Sequence, residues 1–540
     1  MKKTLLLFLF LLTYHLSTAQ QAPPIEWAVC LGGIGTEGAC VDFNTANKQY
    51  GLQVLHTPDG GYILAGNTNA NSGYVSGFHG SAGFTQDMWV VKTDSHGNFQ
   101  WQKALGGTGN DSAAAIALTS DGGYIVAGYS TIDNGDVPAY YGANDIWIVK
   151  LDGAGNKLWT QNLGTTDDEK AYSIQQTSDG GFIVAGAIYA AGVGPVTRYN
   201  MVAIKTDPSG NIEWRKSFGG SDDEVAYSVK QTTDGGYILA GSTQTKNNGD
   251  VSGNHTYWSS GDAAYLASRD AWVVKLNAQG VLQWQKCLGG TGEDNAYSIQ
   301  QTTDGGYILA GYSNSVSGDV TGNHGNKDFW VVKITSGGTL EWQKSLGGSN
   351  SDQAHFIKQT PDGGYAVTGT SFSNDGDVTD HRGSTNNNDY WVVKLDASGN
   401  KSWAKSLGGT GSDTAFSLDL TADGGYAIAG STLSNNGDVT GLHTNSSATD
   451  FWLVKLGSGN MGTEDIKAAT SISLYPNPAK DVVFFSEELS SVEVYTSDGK
   501  MVYEALTGKQ IDLHHLPANI YFLHGINKEG KKIVKKIVKQ

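Results

Sequence analysis

One turn, written seven times, constrains this chain more than any other feature. Each copy is a Thr, one further residue, Asp-Gly-Gly, an aromatic residue and an apolar run ending in Gly, as in Thr302-Thr303-Asp304-Gly305-Gly306-Tyr307-Ile308-Leu309-Ala310-Gly311. The Asp recurs at Asp59, Asp121, Asp179, Asp234, Asp304, Asp362 and Asp423, so consecutive copies lie 55 to 70 residues apart. A period of that length with strand-like units signals a repeat architecture. It also explains how 540 residues can belong mostly to one closed body rather than several independent domains.

Each unit carries four short strand signals bounded by turn residues. Strand A is of the Ala296-Tyr297-Ser298-Ile299-Gln300-Gln301 type, and strand B follows the Asp-Gly-Gly turn. Strand C is of the Asp328-Phe329-Trp330-Val331-Val332-Lys333 type, and strand D of the Leu340-Glu341-Trp342-Gln343-Lys344-Ser345-Leu346 type, running into Gly347-Gly348. A four-stranded antiparallel unit in tandem is a propeller blade. Thirteen of the 14 Trp fall at repeat positions of strands C and D, which predicts that they pack neighbouring blades together.

Strand order sharpens this reading. The repeats open on a lone strand D at Trp27 and close on a strand C at Leu453 that lacks its D. A ring uses that permutation to pair both open edges, whereas an open solenoid gains nothing from it. The expected fold is all-β: a seven-bladed propeller closed by its N-terminal strand. In each blade the A–B and C–D turns share one face, while the long, variable B–C and D–A loops share the other, where function is expected.

The formal net charge of −17 and the lack of a basic stripe in the repeats argue against nucleic acid as a partner. Met1-Lys2-Lys3, the apolar run Leu5 to Leu12 and Ser17-Thr18-Ala19 read as a secretory signal peptide over residues 1–19. No later apolar stretch reaches the roughly 20 residues of a membrane span. An exported chain permits a disulfide, and Cys30 with Cys40 is the local candidate. Cys287 occupies the repeat position of Cys30, filled elsewhere by Ala104, Asn162 or Ser, so a small side chain rather than redox chemistry is expected there. The propeller is placed at 20–456, a Gly-, Ser- and Thr-rich linker at 457–471, and a second domain at 472–540.

That second domain contains Tyr475-Pro476-Asn477-Pro478, the turn Ser497-Asp498-Gly499-Lys500, the strand Leu516-Pro517-Ala518-Asn519-Ile520-Tyr521-Phe522-Leu523 and a Lys-rich final strand. In this order the motifs resemble the type A C-terminal sorting domain of the type IX secretion system of Bacteroidetes. The resemblance implies a small Ig-like β-sandwich, a translocon and a sortase as partners, and a secreted or outer-cell-surface destination. The repeats similarly resemble uncharacterised Asp-Gly-Gly-Tyr propellers of such secreted proteins, a likeness that implies no activity.

Three sets of residues carry candidate chemistry. Six residues after the Leu of each Leu-Gly-Gly, or its equivalent, stands an acid: Asp111, Glu169, Glu224, Asp294, Asp352 and Asp413, with Glu37 in blade one followed by an insertion of about twelve residues from Ala39 to Tyr50. This ring reads either as a cation or sugar site at the channel mouth or as acceptors for local backbone N–H groups. The B–C loops repeat Gly-Asp-Val with a following His, placing Asp250, Asp319, Asp377 and Asp438 where calcium is possible, against Asx-turn scaffolding as the alternative. No other cofactor is expected. The longest B–C loop, in blade four, holds Trp258, the one Trp outside a repeat position, with Tyr257, Asp262 and Arg269, a set suited to a sugar face or a protein partner.

No G-x-S-x-G elbow, P-loop or H-E-x-x-H occurs, and catalysis needs asymmetry that a sevenfold repeat of polar residues lacks. The sequence therefore points to a secreted or surface binding module for a glycan or protein. The alternative is a carbohydrate-active enzyme, a glycosidase or lyase, working on the acidic propeller face.

Overall fold

The computed structural model describes residues 21–458 and 474–539, apart from 39, 43–47, 82, 191–197, 256–267, 444–447, 476–478, 497–500, 506–507 and 528–531. The chain divides into two compact units, Met1–Gly459 and Asn460–Gln540.

The first unit is a ring of seven antiparallel sheets. Blade five shows the pattern: strand A Asp294–Gln301, strand B Tyr307–Ser313, strand C Asp328–Ile334 and strand D Leu340–Leu346. Blade seven takes its A, B and C strands from Asp413–Leu420, Tyr426–Thr432 and Asp450–Leu456, and its fourth from Ile25–Leu31 at the other end of the unit. Leu31 pairs with Phe451 and Ala28 with Val454, so the ring closes through its N-terminal strand. This strand also supplies the side chains its position demands, since Glu26 reaches Lys455 at 3.1 Å as Glu341 reaches Lys333 in blade five.

Strands B and C are buried along their whole length because successive side chains face opposite sides of the sheet, and each side meets another blade. Their sequences are accordingly continuous apolar runs rather than alternating ones. The apolar core is correspondingly split into layers between blades: Ile238, Ala240 and Val273 of blade four pack with Leu309, Trp330 and Val332 of blade five, and six equivalent clusters fill the other junctions. Each strand D Trp lies edge-on or tilted to the aromatic residue after the next blade's Asp-Gly-Gly turn, as Trp284 does to Tyr307 with ring centroids 6.0 Å apart, and Trp27 repeats this contact with Tyr62 across the closure.

Blade one departs from the pattern. Its strand A is interrupted: Glu37–Gly38 and Gln53–His56 both pair with strand B, Tyr62–Thr68, and between them the insertion forms a hairpin of Cys40–Asp42 with Lys48–Tyr50. Cys30 and Cys287 are free and buried, as their small-residue positions suggest, and burial first, with nearby carboxylates second, pushes the Cys30 thiol up to about 12.

The second unit is a strand-rich β domain on one hydrogen-bonded sheet. The long strand Val482–Thr496 pairs with Leu474–Tyr475, Met501–Ala505, Gly508–Asp512 and Ile520–Asn527, and the last of these pairs with Lys532–Val538. Val483, Phe485, Leu489, Val494, Ile511, Tyr521, Leu523 and Ile537 form its core. The Tyr521 hydroxyl donates to the Pro517 carbonyl at 2.7 Å, tying the Leu-Pro entry to the strand it precedes.

Candidate functional site

The seven acids expected at the channel mouth do not line it. Glu37, Asp111, Glu169, Glu224, Asp294, Asp352 and Asp413 are at most 1% exposed. Each accepts an N–H from its own D–A loop, as Asp294 does from Gly290 at 2.8 Å and Glu37, despite the adjoining insertion, from Gly33 at 2.9 Å. In five blades a hydroxyl from the end of strand B adds to this, Thr243 on Glu224 at 2.7 Å for example, and Glu169 takes the Thr165 hydroxyl of its own loop. Local bonding therefore accounts for the ring, and burial raises Asp111 to about 6 and Glu37 to about 7 against those hydrogen bonds.

The B–C loop aspartates join neighbouring blades. Asp319 accepts the Gly289 N–H at 3.3 Å while its own N–H donates to the Gly289 carbonyl at 2.8 Å, and Asp250, Asp377 and Asp438 hold Gly219, Gly347 and Gly408 in the same way. The His of each motif turns inward: His255, His324 and His443 place Nδ1 2.6 to 2.7 Å from the buried Asp270, Asp328 and Asp450 at the start of strand C. Among the described residues no group of three or more His, Cys, Asp or Glu is placed to hold a metal ion. Trp258, Tyr257 and Asp262 lie outside the described residues. Arg269 lies within them, its carbonyl accepting the Asp294 N–H at 2.6 Å and its charge acting on Tyr297 and Tyr312 of blade five.

What the repeats do not share is the wall of the central channel. Strand A forms that wall in every blade, and in six blades the register slips by one residue at its fourth position. A residue at such a slip leaves the alternation and is re-aimed. The six bulged residues are Ala114, Tyr172, Tyr227, Tyr297, His355 and Phe416, and Leu52 takes the corresponding place beside the blade-one insertion. Five of these form an unbroken aromatic arc: Tyr172 to Tyr227 at 5.6 Å, Tyr227 to Tyr297 at 5.0 Å, Tyr297 to His355 at 5.6 Å and His355 to Phe416 at 5.3 Å between centroids. His355 Nδ1 lies 2.6 Å from the Ala415 carbonyl, and burial lowers its pKa. Blades one and two are low by contrast, and Gly51 comes so close to Ala114 that a Cβ on Gly51 would stand 2.4 Å from the Ala114 Cα.

One residue further along the channel, Ser173, Ser228, Ser298 and Ser417 accept N–H bonds from Val229, Ile299, Ile357 and Val54 of the next blade, covering sheet edges that would otherwise stay open. At the seventh position of strand A stand Lys230, Lys358 and Asp419, the last two paired with each other. The arc and Lys230 together line a cavity of about 100 Å³. Sequence reading missed this wall. Its signal is variation at the fourth and seventh residues of strand A between positions that hardly change.

The comparisons bear on the two units separately. Residues 473–540 match the secretion system C-terminal sorting domain. This tail directs the type IX secretion system cargo that carries it to the cell surface or into the medium, the destination the motifs implied. Among the described residues no helix is long and apolar enough to cross a membrane. The chain is also 22% identical over 301 residues to the regulatory protein FlaEY of Caulobacter vibrioides, covering 49% of this chain and 30% of that protein, so it spans under a third of the relative's length. Similar solved structures include a protein of unknown function from Bacteroides caccae, 11% identical with a TM-score of 0.34, covering 59% of this chain and 90% of that one. A polysaccharide lyase, ulvan lyase, is 13% identical with a TM-score of 0.40, covering 79% of this chain and 96% of its own. Likeness at this level transfers no activity.

Proposed function

We propose that the chain is a secreted or surface-displayed β-propeller serving as a binding module for a glycan or a protein, carried out by its sorting tail. The observation behind this reading is the contrast between framework and wall: the repeated acids, lysines and histidines are engaged in holding blades together, while side chains facing the channel differ from blade to blade. The variable face adds exposed aromatic residues on the B–C loops of adjacent blades, Phe84 at 87% and Tyr141 at 54% exposure, and in this reading Trp258, Tyr257, Asp262 and Arg269 also take part in binding. Contiguous apolar side chains in a polar setting suit a sugar face or a protein partner.

The mature chain on a combined glycan and protein array, beside Tyr297→Ala and Trp258→Ala, tests the module. Specific hits lost in either variant support it, and hits unchanged in both remove these surfaces from consideration. Turnover of an arrayed glycan would point instead to a carbohydrate-active enzyme. In this reading residues 1–19 act as the signal peptide, and the translocon and sortase are the partners of residues 473–540. A signal-peptide-bearing reporter fused to 473–540 should then reach the surface of a type IX host, and retention in the periplasm would overturn the assignment.

A further inference from the structure

Lys230 is the anomaly in the channel. It is the seventh residue of its strand A, Glu224–Gln231, where the other blades place Leu55, Ala117, Gln175, Gln300, Lys358 and Asp419. Lys358 is neutralised by Asp419, which also accepts the His56 N–H at 2.9 Å, and Gln175 accepts the Gln231 N–H at 2.8 Å. The Lys230 ammonium has no hydrogen-bond or ion-pair partner among the described residues. Its burial, and then the charge of Lys358, bring its pKa down to about 8 against the opposing charge of Asp419, the direction expected of a partly desolvated cation without a bonded counter-ion.

The cavity beside it tells which anion fits. At about 100 Å³ it leaves room beside the ammonium for one small ring or its substituent. The walls are Tyr172, Tyr227, Tyr297, His355 and Phe416 on one side and the small residues Gly51, Ala114 and Ala115 on the other. Aromatic faces suit the C–H face of a sugar ring. A single lysine is a point charge without the fork of an arginine, and with no arginine in the lining it matches a monoanion better than a phosphate or sulfate dianion.

We infer that the channel binds a terminal sugar acid, with its carboxylate on Lys230 Nζ and its ring against Tyr227 and Tyr297. This rests on the reading of the propeller as a binding module and names the ligand class for it. The groups facing Lys230 are Lys358, Asp419, His355 and the tyrosines of the arc, so the bound carboxylate would supply the one missing negative charge.

The test is calorimetric titration of the full chain with D-glucuronate and, as the neutral counterpart, methyl β-D-glucopyranoside. The expected result is binding of the acid at least tenfold tighter than of the neutral sugar, lost at least tenfold in Lys230→Met and kept within about threefold in Lys230→Arg. Lys230→Met retains the length of the side chain, and an unchanged melting curve shows that it folds; should it not fold, Lys230→Arg with Tyr297→Phe and Tyr297→Ala gives the same comparison through the ring contact. Equal affinity for acid and neutral sugar, or undiminished binding in Lys230→Met, overturns the inference. Array hits confined to neutral glycans or proteins would sink the sugar acid while leaving the binding module standing, whereas an array without hits together with a flat titration sinks both.

Discussion

Lys150 Nζ stands 2.9 Å from Asp121 Oδ2, joining the end of strand C to the Asp-Gly-Gly turn, and each of the other six blades repeats the pair: Lys92 with Asp59, Lys205 with Asp179, Lys275 with Asp234, Lys333 with Asp304, Lys394 with Asp362 and Lys455 with Asp423. The ammonium also donates to its neighbour's carbonyl, Leu151 O at 3.1 Å, and packs so tightly on the turn that a Cβ on Gly123 would lie 2.6 Å from it. The second Gly of the turn is required by the backbone at the end of strand C, since a Cβ on Gly123 would stand 2.2 Å from the Leu151 carbonyl oxygen, and the first by its positive φ, 82° at Gly122.

The two members of this pair are unequally exposed, the lysine side chain 5% and the aspartate 58%. Asp121→Ala leaves a buried ammonium with only a carbonyl, and a loss of about 2 kcal/mol is expected for a charged group deprived of its partner. Lys150→Met keeps the buried methylenes and leaves the carboxylate in water, so about 1 kcal/mol or less is expected. Urea midpoints decide: a larger loss for Lys150→Met would contradict this ordering.

Closure through Ile25–Leu31 predicts a cooperative loss. Removing residues 21–31 opens the edge of Asp450–Leu456 and uncovers Trp452 and Leu453, both fully buried. The melting midpoint of the whole propeller should fall by roughly 10 °C or more, at a few degrees per kcal/mol for a body of this size. A truncated chain that melts with the intact one would show that the strand does not close the ring.

Stability should peak in mild acid. In the Asp-Gly-Gly turns partial burial works against ionisation, but bonds from Thr, Lys and Gly N–H outweigh it and hold Asp59, Asp121, Asp179, Asp234, Asp304 and Asp423 at about 2. Their folded pKa lies below the unfolded value near 3.9, so their contribution is present above about pH 4 and lost as pH falls through 2. Burial raises Asp111 to about 6, Glu37 and Asp270 to about 7 and Asp389 to about 8. A raised folded pKa has the opposite sign: its contribution is complete below the unfolded pKa and lost as pH rises through 6 to 8. Melting temperature followed from pH 2 to 9 should therefore be highest near pH 4 to 5, and a steady rise from pH 4 to 8 would contradict the burial of these acids.

Much of this architecture was legible in the residues and some was not, for identifiable reasons. The lone strand at Trp27 announced closure because it has a partner position and no blade of its own. The lysines after the strand C Trp and the aspartates of the turns were both visible as columns, yet their pairing appears only when strand C is laid across the A–B turn. The acid ring left two readings open because a periodic carboxylate looks the same whether it faces a channel or its own loop. The channel wall stayed hidden because a bulge at Tyr227 or Tyr297 removes one residue from the alternation without changing the polarity pattern that marks the strand.

Two glycines with the same backbone should respond differently to a methyl group. Gly122 and Gly155 both have φ near 82°, a conformation that disfavours any side chain by about 1 kcal/mol. A Cβ on Gly122 meets nothing within 4 Å, whereas one on Gly155, in the C–D turn of blade two, would lie 2.6 Å from the ring of Trp101 in blade one. That ring is fixed between Gly155 and Tyr124, whose centroid is 6.0 Å away, so it cannot move aside without disturbing the junction between the blades. Gly122→Ala should therefore lose about 1 kcal/mol from backbone strain alone, and Gly155→Ala about 2 to 3 kcal/mol once overpacking is added. The difference would appear as a lower urea midpoint for Gly155→Ala and a shift in Trp fluorescence that Gly122→Ala does not show. Equal losses in the two variants would mean that Trp101 does not pack on the neighbouring turn.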